Sequence, residues 1–400
     1  MHLPGLRAAL RTSLWFGAAA WLLGGCSLLT PPRPAATGAV LETKGPDPKA
    51  PRLAALETRH VELANGQDLV GETQVIFARH ENTFSSIGRQ YNLGYEEMRS
   101  ANPGVDQWLP GEGTAIYLPT QSILPEAPRE GIVVNVPAMR LYYFTTEKGT
   151  TEKGTTEKGT TEKGTQGAPA VLKVSSHPIG IGVEGWATPF GEAKVTQKVK
   201  DPVWYVPSSI RKEHAERGDP LPSVVPPGPD NPLGAYALTL SLPSYLIHGT
   251  NKPAGVGMRS SHGCIRLYPE DIEALFSRVP RGTAVRIVNQ PVLAGWRDGQ
   301  LYLEVHPPLA EEEHDLVAEA EAALGRAIER AGAAASGAAL DHAAIEKIVA
   351  EQRGIPFPVL GSNRSPDRYL AGVRIIENTV PIAVAEETAR LAEPAVNASR

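Results

Sequence analysis

A mainly β central domain, preceded by a small α+β module and followed by an α-rich extension, is the architecture this sequence predicts. Short β-branched and aromatic runs punctuated by Gly and Pro, such as 131–136 and 140–144 on either side of Pro137, carry the β assignment over 130–290. Between 73 and 119 the pattern changes to two short helices between strands, and over 306–400 apolar residues recur at helical spacing. A length of 400 residues fits two or three domains. A mean hydropathy of −0.20 excludes a multi-span membrane protein. A net charge of −5 leaves no basic surplus, which argues against nucleic acid as a partner. Two cysteines exclude both a disulfide scaffold and a four-cysteine zinc site, and no metal or other cofactor is expected.

The first cysteine concerns location. Residues 1–25 read as an export signal: Arg7 and Arg11 are followed by an apolar run over 14–23, shorter than the about 20 residues of a membrane-spanning helix. The run ends in Leu23-Gly24-Gly25-Cys26, which resembles the bacterial lipoprotein box. That resemblance implies lipidation at Cys26 and attachment to a membrane by the lipid. Ser27, in place of Asp, resembles lipoproteins sorted to the outer membrane, so a periplasmic, lipid-anchored protein is expected. Residues 26–72, rich in Pro, Ala and Gly over their first half, are expected to form a flexible linker.

In the module over 73–119, Thr83 is expected to cap a helix carrying Phe84, Ile87 and Tyr91. A second helix holds Tyr95, Met98 and Arg99 and stops at Asn102-Pro103-Gly104. Leu109-Pro110-Gly111 then turns into a strand at 115–119. The β-α-α-β order and this punctuation resemble a LysM module, which implies binding to N-acetylglucosamine-containing glycans. Glu81-Asn82 stands where that family usually has Gly-Asp. The alternative is a spacer of the same fold.

Within the central domain, residues 145–165 are four copies of Thr-Thr-Glu-Lys-Gly and a final Thr, without an apolar residue. They read as an expanded hairpin tip, since each doubling of a surface loop costs only about 0.6 kcal/mol. Turn-rich segments follow at Thr188-Pro189-Phe190-Gly191 and Asn231-Pro232-Leu233-Gly234.

The second cysteine concerns chemistry. An apolar strand ends in His248-Gly249-Thr250, and sixteen residues after His248 Cys264 closes the run Arg259-Ser260-Ser261-His262-Gly263-Cys264 before Ile265-Arg266. A thiol becomes a useful nucleophile when an imidazole takes its proton. Gly263 permits close backbone approach, so the amides of Gly263 and Cys264 are placed to meet an oxyanion. Two imidazoles stand near one thiol: His248 is the expected base and His262 either a second catalytic group or a scaffold residue. Arg266 and Arg259 suit a peptide carboxylate, with solvated surface charge as the alternative.

This set of residues resembles the signature of L,D-transpeptidases of the YkuD type, and the 188–191 and 231–234 segments resemble earlier landmarks of that family. The resemblance implies a YkuD-like β-sandwich with Cys264 as nucleophile and His248 as proton donor and acceptor. His262 and the Gly263 backbone would assist, and Arg266, Arg259, Ser261, Gly249 and Thr250 would line the substrate site. It implies peptidoglycan stem peptides as substrate, with a lipoprotein lysine or a second diaminopimelate as acceptor amine. With Arg at 266, the likeness is closest to the periplasmic subgroup that attaches an outer-membrane lipoprotein to the wall. Where some relatives have Ser after the histidine this chain has Gly249, so any third-member role there falls to a backbone carbonyl. A hydrolase of the same fold and a non-catalytic wall-binding anchor are the rival readings.

After strand signals at 302–305, Leu316, Val317, Ala320, Leu324 and Ile328 share a helical face behind Glu311-Glu312-Glu313. Asp341 is expected to cap a helix bearing Ile345, Ile348 and Val349, and 373–376 and 380–384 are expected to add edge strands.

Overall fold

Thr83 begins the first helix, α1 (Phe84–Gln90), through a reciprocal cap: its Oγ1 accepts from Ser86 N–H at 3.1 Å, while Ser86 Oγ accepts from Thr83 N–H at 3.0 Å. This directs Phe84 and Ile87 into a small core with Leu93 and with Met98 of α2 (Tyr95–Ala101). Strands Gln74–Phe77 and Ala115–Leu118 close the unit as an antiparallel pair, completing the expected β-α-α-β order. Asn102 ends α2 while fully buried. Its Nδ2 donates to Met98 O and Tyr117 O, both at 2.9 Å, and its Oδ1 accepts from Tyr117 N–H at 2.7 Å. Asn102→Ala strands these buried backbone groups and is expected to destabilise by about 1–3 kcal/mol, seen as a lower urea midpoint at constant slope. An unmoved midpoint would show the side chain to be dispensable.

The computed structural model describes residues 60–64, 66–149, 168–332, 339–362 and 364–381. Cys26, the export segment and most of the linker lie outside them, as does the repeat beyond residue 149.

Nine strands form the main sheet: β1 (His60–Glu62), β2 (Gly131–Asn135), β3 (Arg140–Gly149), β4 (Ala168–Pro178), β5 (Gly191–Lys200), β6 (Tyr236–Leu240), β7 (Leu246–His248), β8 (Ile265–Arg266) and β9 (Ala284–Val288). Their spatial order is β1-β4-β3-β2-β9-β5-β6-β7-β8. Pairing is antiparallel except for β2 with β9 and β7 with β8. The β3–β4 hairpin takes in residues 145–149, so the start of the repeat is strand and not loop tip. Thr145 and Thr146 lie opposite Lys173 and Leu172, and Glu147 meets Lys173 Nζ at 2.8 Å.

An insert between β5 and β6 carries a two-stranded ribbon (Trp204–Tyr205 with Val224–Val225) and helix α3 (Ser208–Glu216). Helix α4 (Pro269–Arg278) contributes Ile272 and Leu275 to the main core, which also takes Leu238, Leu240, Ile247 and Ile265 from β6, β7 and β8. Successive strand residues face opposite ways, so burying Ile247 and Ile265 turns Leu246, His248, Cys264 and Arg266 to the other face of the sheet.

Strands Val292–Arg297 and Gln300–Val305 form a separate three-stranded sheet with Phe357–Pro358. Helix α5 (Leu316–Ala331) covers this sheet with Ala320, Ala323, Leu324 and Ala327, whereas Val317, expected on that face, is 42% exposed in the first turn. Asp341 caps α6 (His342–Glu351), accepting from Ala344 N–H at 3.1 Å, and Ile345, Ile348 and Val349 are buried. After α7 (Pro366–Ala371), Arg374–Ile375 pairs in parallel with Gln74–Val75 of the first module. Val380 packs into that module's core as irregular chain; no strand forms at 380–381, and 382–384 lie outside the described residues.

Candidate active site

The parallel register sets Ile247 beside Ile265 and His248 beside Arg266, which brings Cys264 next to Leu246. His248 and Cys264 are thus diagonal neighbours on one face of adjoining strands, a separation long side chains bridge. Sγ of Cys264 lies 3.6 Å from Ser244 O, and the thiol is half-buried, unlike His248.

Nδ1 of His248 sits 2.6 Å from Gly249 O. A carbonyl only accepts, so the neutral ring carries its proton on Nδ1 and Nε2 is its basic nitrogen, with the Leu233 backbone a second hydrogen-bond neighbour of the ring. The backbone carbonyl expected from Gly249 is therefore in place. Burial, reinforced by the Arg266 guanidinium, drives the His248 pKa down to about 3, and burial pushes the Cys264 thiol up. The resting pair is a neutral imidazole and a neutral thiol.

The loop between β7 and β8 is pinned from several directions. Thr188 Oγ1 donates to Gly263 O at 3.0 Å and accepts from Gly182 N–H at 3.1 Å. Ser261 Oγ donates to Cys264 O at 2.6 Å, closing the turn that carries the thiol. Gly263 has φ +97°, and a Cβ there would come within 2.7 Å of Tyr245 Cε1, so both backbone and space demand glycine.

The turn segments seen in the sequence serve this loop. Thr188 is the pin just described. Asn231, fully buried, fastens the neck of the insert, its Nδ2 donating to Pro202 O at 2.8 Å and Pro226 O at 3.1 Å. Gly234, at φ +67°, lies against Gly249 and Thr250, where a Cβ would meet Thr250 N at 2.8 Å.

Several residues expected to face substrate have internal partners. Both terminal guanidinium nitrogens of Arg259 engage Glu311, with Nη1 to Oε2 at 2.8 Å, and its Nε donates to Gly182 O. Thr250 is buried and accepts from Lys252 N–H at 2.9 Å, and Ser261 is spent on the turn. Arg266 donates from Nη1 to Ser260 Oγ at 3.0 Å and stands on the same sheet face as the thiol. His262 is held by the insert: its Nε2 lies 3.0 Å from Glu213 Oε2 on α3, with Trp186 edge-on at 5.1 Å between centroids. Nothing in the sequence singled out Glu213, because the insert separates it from the motif by 49 residues.

A cavity of about 390 Å³ lies beside this centre, between Leu246, Thr239 and Ala237 on the sheet and Val203 and Tyr205 on the insert. A second, of about 420 Å³, lies among Glu97, Met139, His306 and Arg353, away from both Cys264 and His248.

Residues 129–287 match the YkuD L,D-transpeptidase catalytic domain, and residues 294–359 match the L,D-transpeptidase C-terminal domain. The second match reaches a region where the sequence suggested no likeness. The chain is 43% identical over 253 residues to the probable L,D-transpeptidase YbiS of Escherichia coli (strain K12), covering 62% of this chain and 75% of that protein. It is 41% identical over 249 residues to the probable L,D-transpeptidase ErfK/SrfK of Salmonella typhimurium (strain LT2), covering 61% and 73%. Among solved structures, the catalytic domain of an Enterococcus faecium L,D-transpeptidase aligns with 20% identity and a TM-score of 0.26, over 41% of this chain and all of that one.

Proposed function

The chain belongs to the L,D-transpeptidase family of cysteine-type acyltransferases, and from the geometry of its site we propose the residues and steps by which it acts on peptidoglycan. Cys264 is the nucleophile and His248 the proton carrier. The observation that carries this reading is the shared sheet face of the two residues, with the His248 Nδ1 proton committed to Gly249 O and Nε2 left as the base.

The Cys264 thiol and the His248 imidazole are both neutral at rest. A free thiolate–imidazolium pair is disfavoured here, because burial lowers the His248 pKa to about 3 and raises that of the thiol. Proton transfer to Nε2 therefore accompanies attack of sulfur on the carbonyl of the diaminopimelate–D-alanine bond of a tetrapeptide stem. The amides of Gly263 and Cys264 receive the oxyanion. Collapse breaks the C–N bond, the proton on His248 Nε2 passes to the departing D-alanine nitrogen, and a thioester remains on Cys264. An acceptor amine then attacks, His248 takes its proton, and the thiol is restored. A lysine at the end of an outer-membrane lipoprotein and a second diaminopimelate both supply such an amine. Burial of His248 and the covering insert disfavour water as acceptor, which favours transfer over hydrolysis.

Around this centre, the β-α-α-β module over 73–119 serves as a LysM-like glycan holder. A lipid on Cys26 anchors the protein in the periplasm, at the outer membrane. Mass spectrometry of digested sacculi after incubation with the protein, with and without a lysine-terminated peptide, tests the assignment. A peptide–tripeptide adduct is expected and identifies a lipoprotein-anchoring enzyme; 3→3 crosslinked stems alone identify a wall crosslinker. Free tripeptide stems without either product would overturn transfer in favour of hydrolysis.

A further inference from the structure

Helix α3 makes a contact with the thiol-bearing loop that the chemistry above does not use. Glu213 divides its carboxylate: Oε1 pairs with Arg217 one turn along the same helix, and Oε2 meets His262 Nε2 at 3.0 Å. An ionised carboxylate only accepts, so His262 carries its proton on Nε2 and turns its Nδ1 lone pair the other way. The two histidines of the site thus hold opposite tautomers, His248 with Nδ1–H on a carbonyl and His262 with Nε2–H on a carboxylate. Trp186 meets the His262 ring edge-on, so the ring is fixed on a second side. The charged and titratable groups facing this contact are Arg217 and His214, with Asp219 bonded to His214 at 3.3 Å. Partial burial pushes the Glu213 carboxyl up. The hydrogen bond from His262 and the Arg217 guanidinium outweigh that and hold it below the usual carboxylate range.

His262 is two residues from Cys264, and Gly263 between them takes a positive φ that suits glycine and is pinned through its carbonyl to Thr188. A ring anchored at 262 therefore fixes where the 263 and 264 amides point. We propose that Glu213 is a positioning residue for the acyl transfer. It acts through His262, oriented by Arg217, and sets the oxyanion-binding backbone from a helix in the insert whose neck Asn231 fastens. The proposal rests on Cys264 being the nucleophile.

The test uses the full chain in detergent. Thioester formation from a tetrapeptide stem is timed by intact mass for wild type, Glu213→Ala, Glu213→Asp and Lys212→Gln, an exposed position on the same helix. Histidine-ring nitrogen NMR reads the His262 tautomer in parallel. Glu213→Ala is expected to slow acylation about tenfold or more at little-changed KM and unchanged melting temperature, with His262 populating both tautomers. Glu213→Asp should recover part of the rate, and Lys212→Gln should match wild type. Wild-type acylation rates in Glu213→Ala would overturn the proposal, as would an Nδ1–H tautomer of His262 in wild type or a loss explained wholly by a lower melting temperature. If wild type itself forms no thioester, the nucleophile assignment fails, which is a separate result.

Discussion

With tetrapeptide stems as donor, the Cys264→Ala protein is expected to gain no acyl mass and to lose at least about 10⁴-fold in turnover, while wild type shows a transient adduct at one site. The same fold should persist, because the side chain is small, half-buried and outside the hydrophobic core, and its contacts with Ser244 O and the Leu246 backbone are weak hydrogen bonds of sulfur. Cys264→Ser should also fail: its hydroxyl has a far higher pKa than a thiol, and His248 Nε2 is too weak a base to compensate. Intact-mass spectrometry decides the matter. Normal turnover in Cys264→Ala would remove the covalent scheme altogether.

His248→Gln should cost about 10³-fold in acylation rate, the usual scale for a lost general base, and it should also flatten the dependence of stability on pH. In the folded chain the imidazole stays neutral down to about pH 3, whereas in the unfolded chain it takes a proton near 6.5. Between those values the unfolded state binds more protons, so wild-type stability falls as pH falls below 6.5. The loss is about 1.4 kcal/mol per unit, or about 2 kcal/mol at pH 5. A glutamine at 248 has no proton to bind, and the difference between the two proteins in urea midpoint at pH 7 and pH 5 isolates this group from the other histidines. The wild-type rate should show no acid limb near pH 6.5. Such a limb, or equal pH slopes for the two proteins, would show that His248 is not held neutral by burial.

The candidate site was legible in the sequence because it is local: Ser261 through Arg266 is one turn and one short strand, and His248 ends the strand beside it. Even the third partner of His248 could be anticipated, since Gly249 offers nothing but its backbone. The surrounding supports were not legible, for a physical reason. Arg259 reads as a free cation until a glutamate 52 residues away closes on it, and Glu213 reads as one of many helix-surface acids until the insert folds over. The same holds for composition. Residues 145–149 look featureless by content, yet threonine suits a paired strand, and the hairpin extends through them. In the C-terminal part, Asp341 was readable as a cap because capping involves only neighbours, whereas the assignment of 292–305 to a second sheet depends on Phe357 and Pro358 arriving later in the chain.

The pairing of Arg374–Ile375 with Gln74–Val75, together with Arg353 donating to Ala101 O, joins segments about 250 to 300 residues apart. A chain made from its N-terminus forms α1 and α2 early but cannot complete their sheet until nearly everything else has been synthesised. Contacts of such separation are slow to form, because a long loop must close before they return any energy. During that interval the outer edge of Gln74–Phe77 offers unpaired backbone to any neighbouring strand. The module that emerges first is therefore among the last to be finished, and the time between its emergence and the arrival of residue 374 is the period in which a misassembled or proteolysed chain is most easily made.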